Sequence, residues 1–211
     1  MLFCSWQFCG FFLAVFVAYW ALPWRPARVY VLLAASFAFY ACWNHWLALI
    51  LCVSTVLDYL LARGMEAWTS PRARKLLLFV SLAGNLGLLC YFKYANFFLR
   101  SLEGSAGLFG LHAALPVLKV MLPVGISFYT FEAINYTVDV YKGKIRAERN
   151  LAHFMLFILF FPHLMAGPIV RARDFLPQIR RRKRWSWLRA NAGVLLIVMG
   201  LVKKLAVADR M

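Results

Sequence analysis

Of the 211 residues, 64% are hydrophobic and only 15% charged, with a mean hydropathy of +0.70; globular domains run about 45–50% apolar and about 25% charged, so water is not this chain's main solvent. A disordered, collagen-like or disulfide-scaffold protein is excluded on the same grounds. The formal charge of +16 comes from 24 Lys and Arg against 8 Asp and Glu, but the basic residues cluster between apolar runs, where the positive-inside rule places them in cytoplasmic loops; this argues against nucleic acid as a partner and for the lipid bilayer.

The first apolar run, residues 2–22, carries no charge and ends at Pro23-Trp24-Arg25-Pro26, where two prolines stop a helix and Trp24 suits an interface. A secretory signal would place its basic residues before the run, whereas the first one here, Arg25, follows it. The segment is therefore read as a retained transmembrane helix. Residues 29–57 are too long for one ordinary crossing, and Trp43-Asn44-His45-Trp46 sits in their middle. Two helices, 29–42 and 46–61, joined by an interfacial turn keep Arg25 and Lys75 on one side; a single tilted helix is the alternative.

Arg63 to Lys75 reads as a cytoplasmic loop and 76–92 as the next crossing, closed by Tyr91, Lys93 and Tyr94, with Ser101 to Gly110 an external loop. A segment over 120–141 returns to Lys142, Lys144, Arg146 and Arg149. The run 151–170 contains Pro162 and Gly167-Pro168, so it is expected to be broken or re-entrant. A short element over 190–202 completes an all-α, polytopic membrane protein of one domain. The five cysteines, Cys4, Cys9, Cys42, Cys52 and Cys90, are odd in number and lie in apolar runs, which argues against a disulfide framework and reads as small buried hydrophobes.

Polar residues inside apolar helices are expensive and mark candidate sites. Glu132, Asn135 and Asp139 share one helical face, although Asp139 also fits a plain interfacial role beside Lys142 and Lys144. Pro123 and Gly125 interrupt the start of that segment, as a cavity wall or as a simple kink. His163, between Pro162 and the Gly167-Pro168 break, could offer an imidazole that exchanges a proton near neutral pH, or it could be structural. No second His or Cys is spaced for a metal, and no Ser-His-Asp order or phosphate-binding glycine loop occurs. Asn135-Tyr136-Thr137 fits the glycosylation triplet but falls at membrane depth. Arg171, Arg173, Arg180, Arg181, Arg182, Lys183 and Arg184, with Arg189, form the strongest basic tract, either a topology signal or a dock for an acidic cytosolic protein.

Several motifs occur together: Phe37-Ala38-Phe39-Tyr40-Ala41-Cys42-Trp43, Asp58-Tyr59, Tyr91-Phe92-Lys93-Tyr94-Ala95-Asn96-Phe97, Leu122-Pro123-Val124-Gly125 through Glu132, Asp139-Val140-Tyr141, and Phe161-Pro162-His163 through Gly167-Pro168-Ile169. In this order they resemble the membrane-bound O-acyltransferase family, closest to its bacterial branch acting in alginate and cellulose O-acetylation. The resemblance implies helices around a central tunnel in the bacterial inner membrane, with Pro123, Gly125, Glu132, Asn135, Pro162, His163, Gly167 and Pro168 near the tunnel. It implies transfer of an acyl group, acetyl in that branch, from a cytosolic thioester donor such as acetyl-CoA or an acyl carrier protein. Periplasmic partner proteins then place it on polysaccharide hydroxyls, and no bound cofactor is implied. Family members continue past the position of Met211, and the histidine regarded as catalytic lies there. On that resemblance the chain is the amino-terminal portion of a longer enzyme, without a catalytic residue of its own and inactive alone, and His163 is a pocket or structural residue. A transporter or channel, and a non-catalytic scaffold recruiting partners through the Arg171 to Arg189 tract, are the alternative readings.

Overall fold

The computed structural model describes residues 6–42, 44–108, 123, 125–164, 169–181 and 183–208. Every regular element among them is helical, with no strand. Gly167, Pro168 and Arg182 lie outside the described residues. Contacts divide the chain into two units, Met1–Ile179 and Arg180–Met211.

In the first unit, α1 (Trp6–Ala21) is followed by α2 (Arg25–Ala41), which Pro26 starts from its first turn, where a proline costs no hydrogen bond. The chain breaks before α3 (His45–Ala67). Asn44 makes that break: in extended backbone, its side chain accepts hydrogen bonds from the amides of Trp46 and Leu47 at 2.9 and 3.3 Å, satisfying donors that a helix start leaves unpaired. His45 is thus the exposed first residue of α3.

Along α3 the buried positions are Ala48, Leu51, Thr55, Asp58, Ala62 and Met65, with Leu61 beside Ala62. Their alternating steps of three and four describe one stripe of a helix, which faces the protein. Asp58 sits in the middle of that stripe. At 23 residues, α3 is long and apolar enough to cross a membrane, reaching about 34 Å against a hydrocarbon layer of ~30 Å.

The expected loop of Arg63 to Lys75 is mostly helical: α3 runs to Ala67 and α4 (Pro71–Leu89) starts four residues later. A five-residue π turn, Cys90–Tyr94, joins α4 to α5 (Ala95–Leu108), and Pro71–Glu103 is the second stretch apolar enough to cross. This corrects two expectations. Tyr91 to Tyr94 do not close the segment, and Ser101 to Leu108 are helix instead of external loop, because Gly104 and Gly107 each cost the helix only about 1 kcal/mol, too little to stop it. The π turn also carries Lys93 to α6 (Ile126–Tyr141), where its ammonium donates to the Ser127 hydroxyl at 3.2 Å.

The α6 helix begins at Gly125, whose φ of 75° is left-handed backbone. Pro123 and Gly125 therefore precede a helix start; what lies before Pro123 falls outside the described residues. The run expected over 151–170 is broken into α7 (Leu151–Leu159) and α8 (Phe161–Leu164). Pro162 has no amide for the Ile158 carbonyl, and the turn opens at Phe160, with ψ of 107°. The freed Phe161 amide donates to Ser36 Oγ on α2 at 3.2 Å, and Phe161 packs edge-on against Phe8 and Phe11 of α1. Finally α9 (Ala172–Arg180) buries Ala172 and Leu176 and turns Arg173 outward.

The core lies where α3, α4, α6 and α7 meet. Phe154, Phe157 and Tyr136 fill its centre, with Tyr136 and Phe154 ring centroids 4.5 Å apart. Outward positions such as Leu76, Phe79 and Val53 are left exposed, the surface an apolar solvent wets. In the second unit, α10 (Trp187–Val202) runs on into a π turn, Lys203–Ala208, and starts three residues earlier than the element expected over 190–202.

Candidate functional site

Two buried polar centres occupy the α3, α4, α6 and α8 interior. In the first, α6 presents Glu132 and the α7–α8 break presents His163. Nε2 of the imidazole faces Glu132 Oε2 at 3.3 Å, and the side chains are 3% and 12% exposed. Phe160 and Phe175 pack on the imidazole at 5.4 and 5.6 Å between ring centroids. Among the described residues the other carboxylate oxygen, Oε1, is buried without a hydrogen-bond partner. Leaving a carboxylate oxygen unpaired in such surroundings is costly, so this is a place where the fold tolerates an incompletely satisfied charge.

The second centre was not among the residues singled out as a site. Asp58 accepts from Ser81 Oγ at 2.6 Å and from Asn85 Nδ2 at 2.8 and 2.9 Å, and Ser81 Oγ also lies 3.3 Å from Thr137 Oγ1. All four side chains are buried. Ser81 and Asn85, one turn apart on α4, point to the same helix face, which is how two donors reach one carboxylate. A signal was present in the sequence: Asp58 is a carboxylate in an apolar helix, the same argument that singled out Glu132. A cavity of about 530 Å³ between α3 and α4 reaches Asp58, Ser81 and Asn85.

Of the remaining expected residues, Asn135 is half-buried next to Glu132's stripe, and Asp139 pairs with Lys144 at 3.8 Å with its own side chain 14% exposed. Pro123 is buried and Gly125 half-buried two turns before Glu132, while Pro162 adjoins His163. Neither the 530 Å³ cavity nor one of about 420 Å³ at the α3–α4 turn is lined by these residues. Arg171, Arg173, Arg180, Arg181 and Arg184 are exposed and Lys183 half-buried. No group of three His, Cys, Asp or Glu side chains among the described residues could hold a metal ion.

A third polar arrangement fixes the connection from α6 to α7. The Glu148 amide donates to the Tyr136 hydroxyl at 2.8 Å, the Tyr59 hydroxyl donates to the Arg149 carbonyl at 2.6 Å, and the Ala147 amide donates to Glu66 Oε2 at 3.2 Å. Glu148 Oε1 in turn accepts from the amides of Arg149 and Asn150.

Comparison with known proteins gives this interior a context. The chain is 39% identical over 99% of its length to a probable alginate O-acetylase of Pseudomonas putida and 38% identical over 99% to one of Pseudomonas aeruginosa. It is 32% identical over 96% to a peptidoglycan O-acetyltransferase of Helicobacter pylori. Over nearly its whole length the chain is thus similar to proteins named as O-acetylases and O-acetyltransferases. It covers 43%, 40% and 42% of those three relatives, so it spans about two fifths of the length of the curated relatives it matches. No family model and no solved structure matches it. In this chain Glu132 and His163, 31 residues apart in sequence, form one buried pair, and the apolar stretches His45–Ala67 and Pro71–Glu103 agree with a membrane location.

Proposed function

We propose that the chain forms part of a multi-pass inner-membrane O-acyltransferase that passes an acyl group, acetyl, from a cytosolic thioester donor to hydroxyls of an exopolysaccharide such as alginate or cellulose. The observation that carries the reading is the match of almost the whole chain to alginate O-acetylases, joined by a relative named for O-acetyl transfer to another cell-surface polymer, peptidoglycan. In the reaction the donor's acyl carbon–sulfur bond breaks, a carbon–oxygen bond forms to the acceptor, and the hydroxyl proton passes to a general base. No residue of this chain is assigned as that base. Glu132 and His163 are positioning residues: the buried pair anchors the α7–α8 break to α6, and its incompletely satisfied carboxylate suits the wall of a path for polar groups through the protein. Basic loops at the α3–α4 and α6–α7 connections, with the Arg171 to Arg184 tract, face the cytosol in this reading, where an acidic donor protein would meet them; periplasmic acetylation proteins would take the group at the other face.

The test is the ester content of the surface polysaccharide. In the organism carrying this gene, deletion should abolish alkali-labile acetate on the exopolysaccharide while leaving the polymer itself in place, and reintroducing the gene should restore it. A Glu132→Gln copy, expressed at wild-type level, should restore less. Unchanged acetate in the deletion strain would overturn the reading.

A further inference from the structure

The 420 Å³ cavity at the α3–α4 turn is lined by neither Glu132 nor His163, and its chemistry is specific. Its walls include Glu66 and Trp68 at the end of α3, Thr69 and Arg74 at the start of α4, and Gly143 and Arg146 in the loop after α6. Arg74 is held in place: its Nη2 donates to the Tyr141 carbonyl at 2.8 Å and its guanidinium lies 5.6 Å from the Tyr141 ring centroid. Among the described residues neither Arg74 nor Arg146 forms a salt bridge. Buried Nε of Arg74 has no hydrogen-bond partner either. The one carboxylate in the wall, Glu66, is engaged by the Ala147 amide. Two guanidinium groups, Arg146's exposed, against one carboxylate leave the cavity wall net positive.

The position decides what meets it. The cavity lies where His45–Ala67 ends and Pro71–Glu103 begins, and these are the two stretches able to cross a membrane. At that depth lie the phosphates of lipid headgroups. Trp68 is 54% exposed there, as an interfacial tryptophan is, and Arg63, Arg72, Lys75 and Lys142 ring the same end. A guanidinium matches a phosphate through two parallel N–H donors, and the volume falls within the range of about 300–1,000 Å³ typical of small-molecule sites. We propose that this cavity is a binding site for the phosphodiester headgroup of a membrane phospholipid, with Arg74 as the fixed anchor and the exposed Arg146 as the second donor from the loop.

Native mass spectrometry of the detergent-purified full-length protein, extracted from membranes and titrated with phosphatidylglycerol, tests the site. The wild type should retain one phosphatidylglycerol through delipidation. Arg146→Gln should weaken that binding by about tenfold, the loss of one charge-assisted hydrogen bond, while Arg63→Gln, an exposed arginine at the same end outside the cavity, should leave it unchanged. Arg74→Gln should weaken it further, but this variant also breaks the tie to Tyr141, so Arg146→Gln is the deciding one. Equal loss in Arg146→Gln and Arg63→Gln would mean diffuse attraction only and would overturn the proposal. Competition by millimolar inorganic phosphate that removes the lipid would reassign the site to a soluble phosphate and overturn the lipid assignment. Acetyl content of the polysaccharide is a separate readout, so failure here leaves the acyl-transfer reading intact.

Discussion

Asp58 shows how much one residue decides in this interior. Its carboxylate takes donors from two α4 side chains, and Asn85 Nδ2 additionally donates to the Ser81 carbonyl at 3.0 Å, so α3 and α4 are tied through buried side chains. Replacing it with an apolar residue strands two donors. Asp58→Leu should therefore lower stability by about 2 kcal/mol or more, from the desolvation of unpaired polar groups. Ser81→Ala, which removes one donor and leaves Asn85 on the carboxylate, should cost about 1 kcal/mol. Thermal unfolding of the detergent-solubilised protein measures both, and equal destabilisation by the two would show that the Asn85 contact contributes nothing. The sequence made Glu132 and His163 candidates one at a time. It could not show that they meet, because the 30 intervening residues return through a loop held by hydrogen bonds to Glu66 and Tyr136 and from Tyr59, none of them marked by periodicity.

Among the elements, legibility followed the strength of the local signal. Asn44 beside two tryptophans marked the α2–α3 break, and Pro162 marked the α7–α8 break, because each changes which backbone groups can be paired. The Gly-rich stretch after Ser101 misled, since glycine weakens a helix without forbidding it, and Ala95–Leu108 continues through it. Conformation separates the glycines that matter. Gly125, at φ 75°, starts α6 in backbone that an L side chain enters only at a cost of about 1–2 kcal/mol, whereas Gly84 on α4 has ordinary helical backbone and open space where a Cβ would go. Gly125→Ala should lower the unfolding midpoint and Gly84→Ala should leave it unchanged or raise it slightly, by the higher helix propensity of alanine. If both shift alike, the left-handed start of α6 is not a constraint on the fold.

At the scale of the whole molecule, composition pointed to a membrane protein, and among the described residues Asp58, Asn85 and Glu132 are buried while large apolar side chains such as Phe79, Leu76 and Leu60 are exposed. Which ends share a side is a stronger statement. In the first unit α2 and α3 pack against each other around the Asn44 break, so Arg25 and Arg72 fall at one end and Cys42, which is exposed, at the other. Tyr141 bonded to Arg74 brings the loop after α6 to the Arg72 end, and Lys93 bonded to Ser127 brings the π turn to the start of α6. If the basic loops face the cytosol, as the positive-inside rule predicts, Cys42 should face the opposite side. In spheroplasts of a strain whose other cysteines are replaced, a membrane-impermeant maleimide should label Cys42. In the fully cysteine-replaced background, Arg25→Cys and Arg72→Cys should both stay unlabelled until the cells are lysed. Labelling of Arg25→Cys and Arg72→Cys from opposite faces would mean that α2 and α3 together cross an odd number of times, and the hairpin packing around Asn44 could not then be the arrangement in the membrane. Labelling of both from outside, with Cys42 protected, would keep the hairpin and invert it, placing the Arg74 and Arg146 cavity in the outer leaflet.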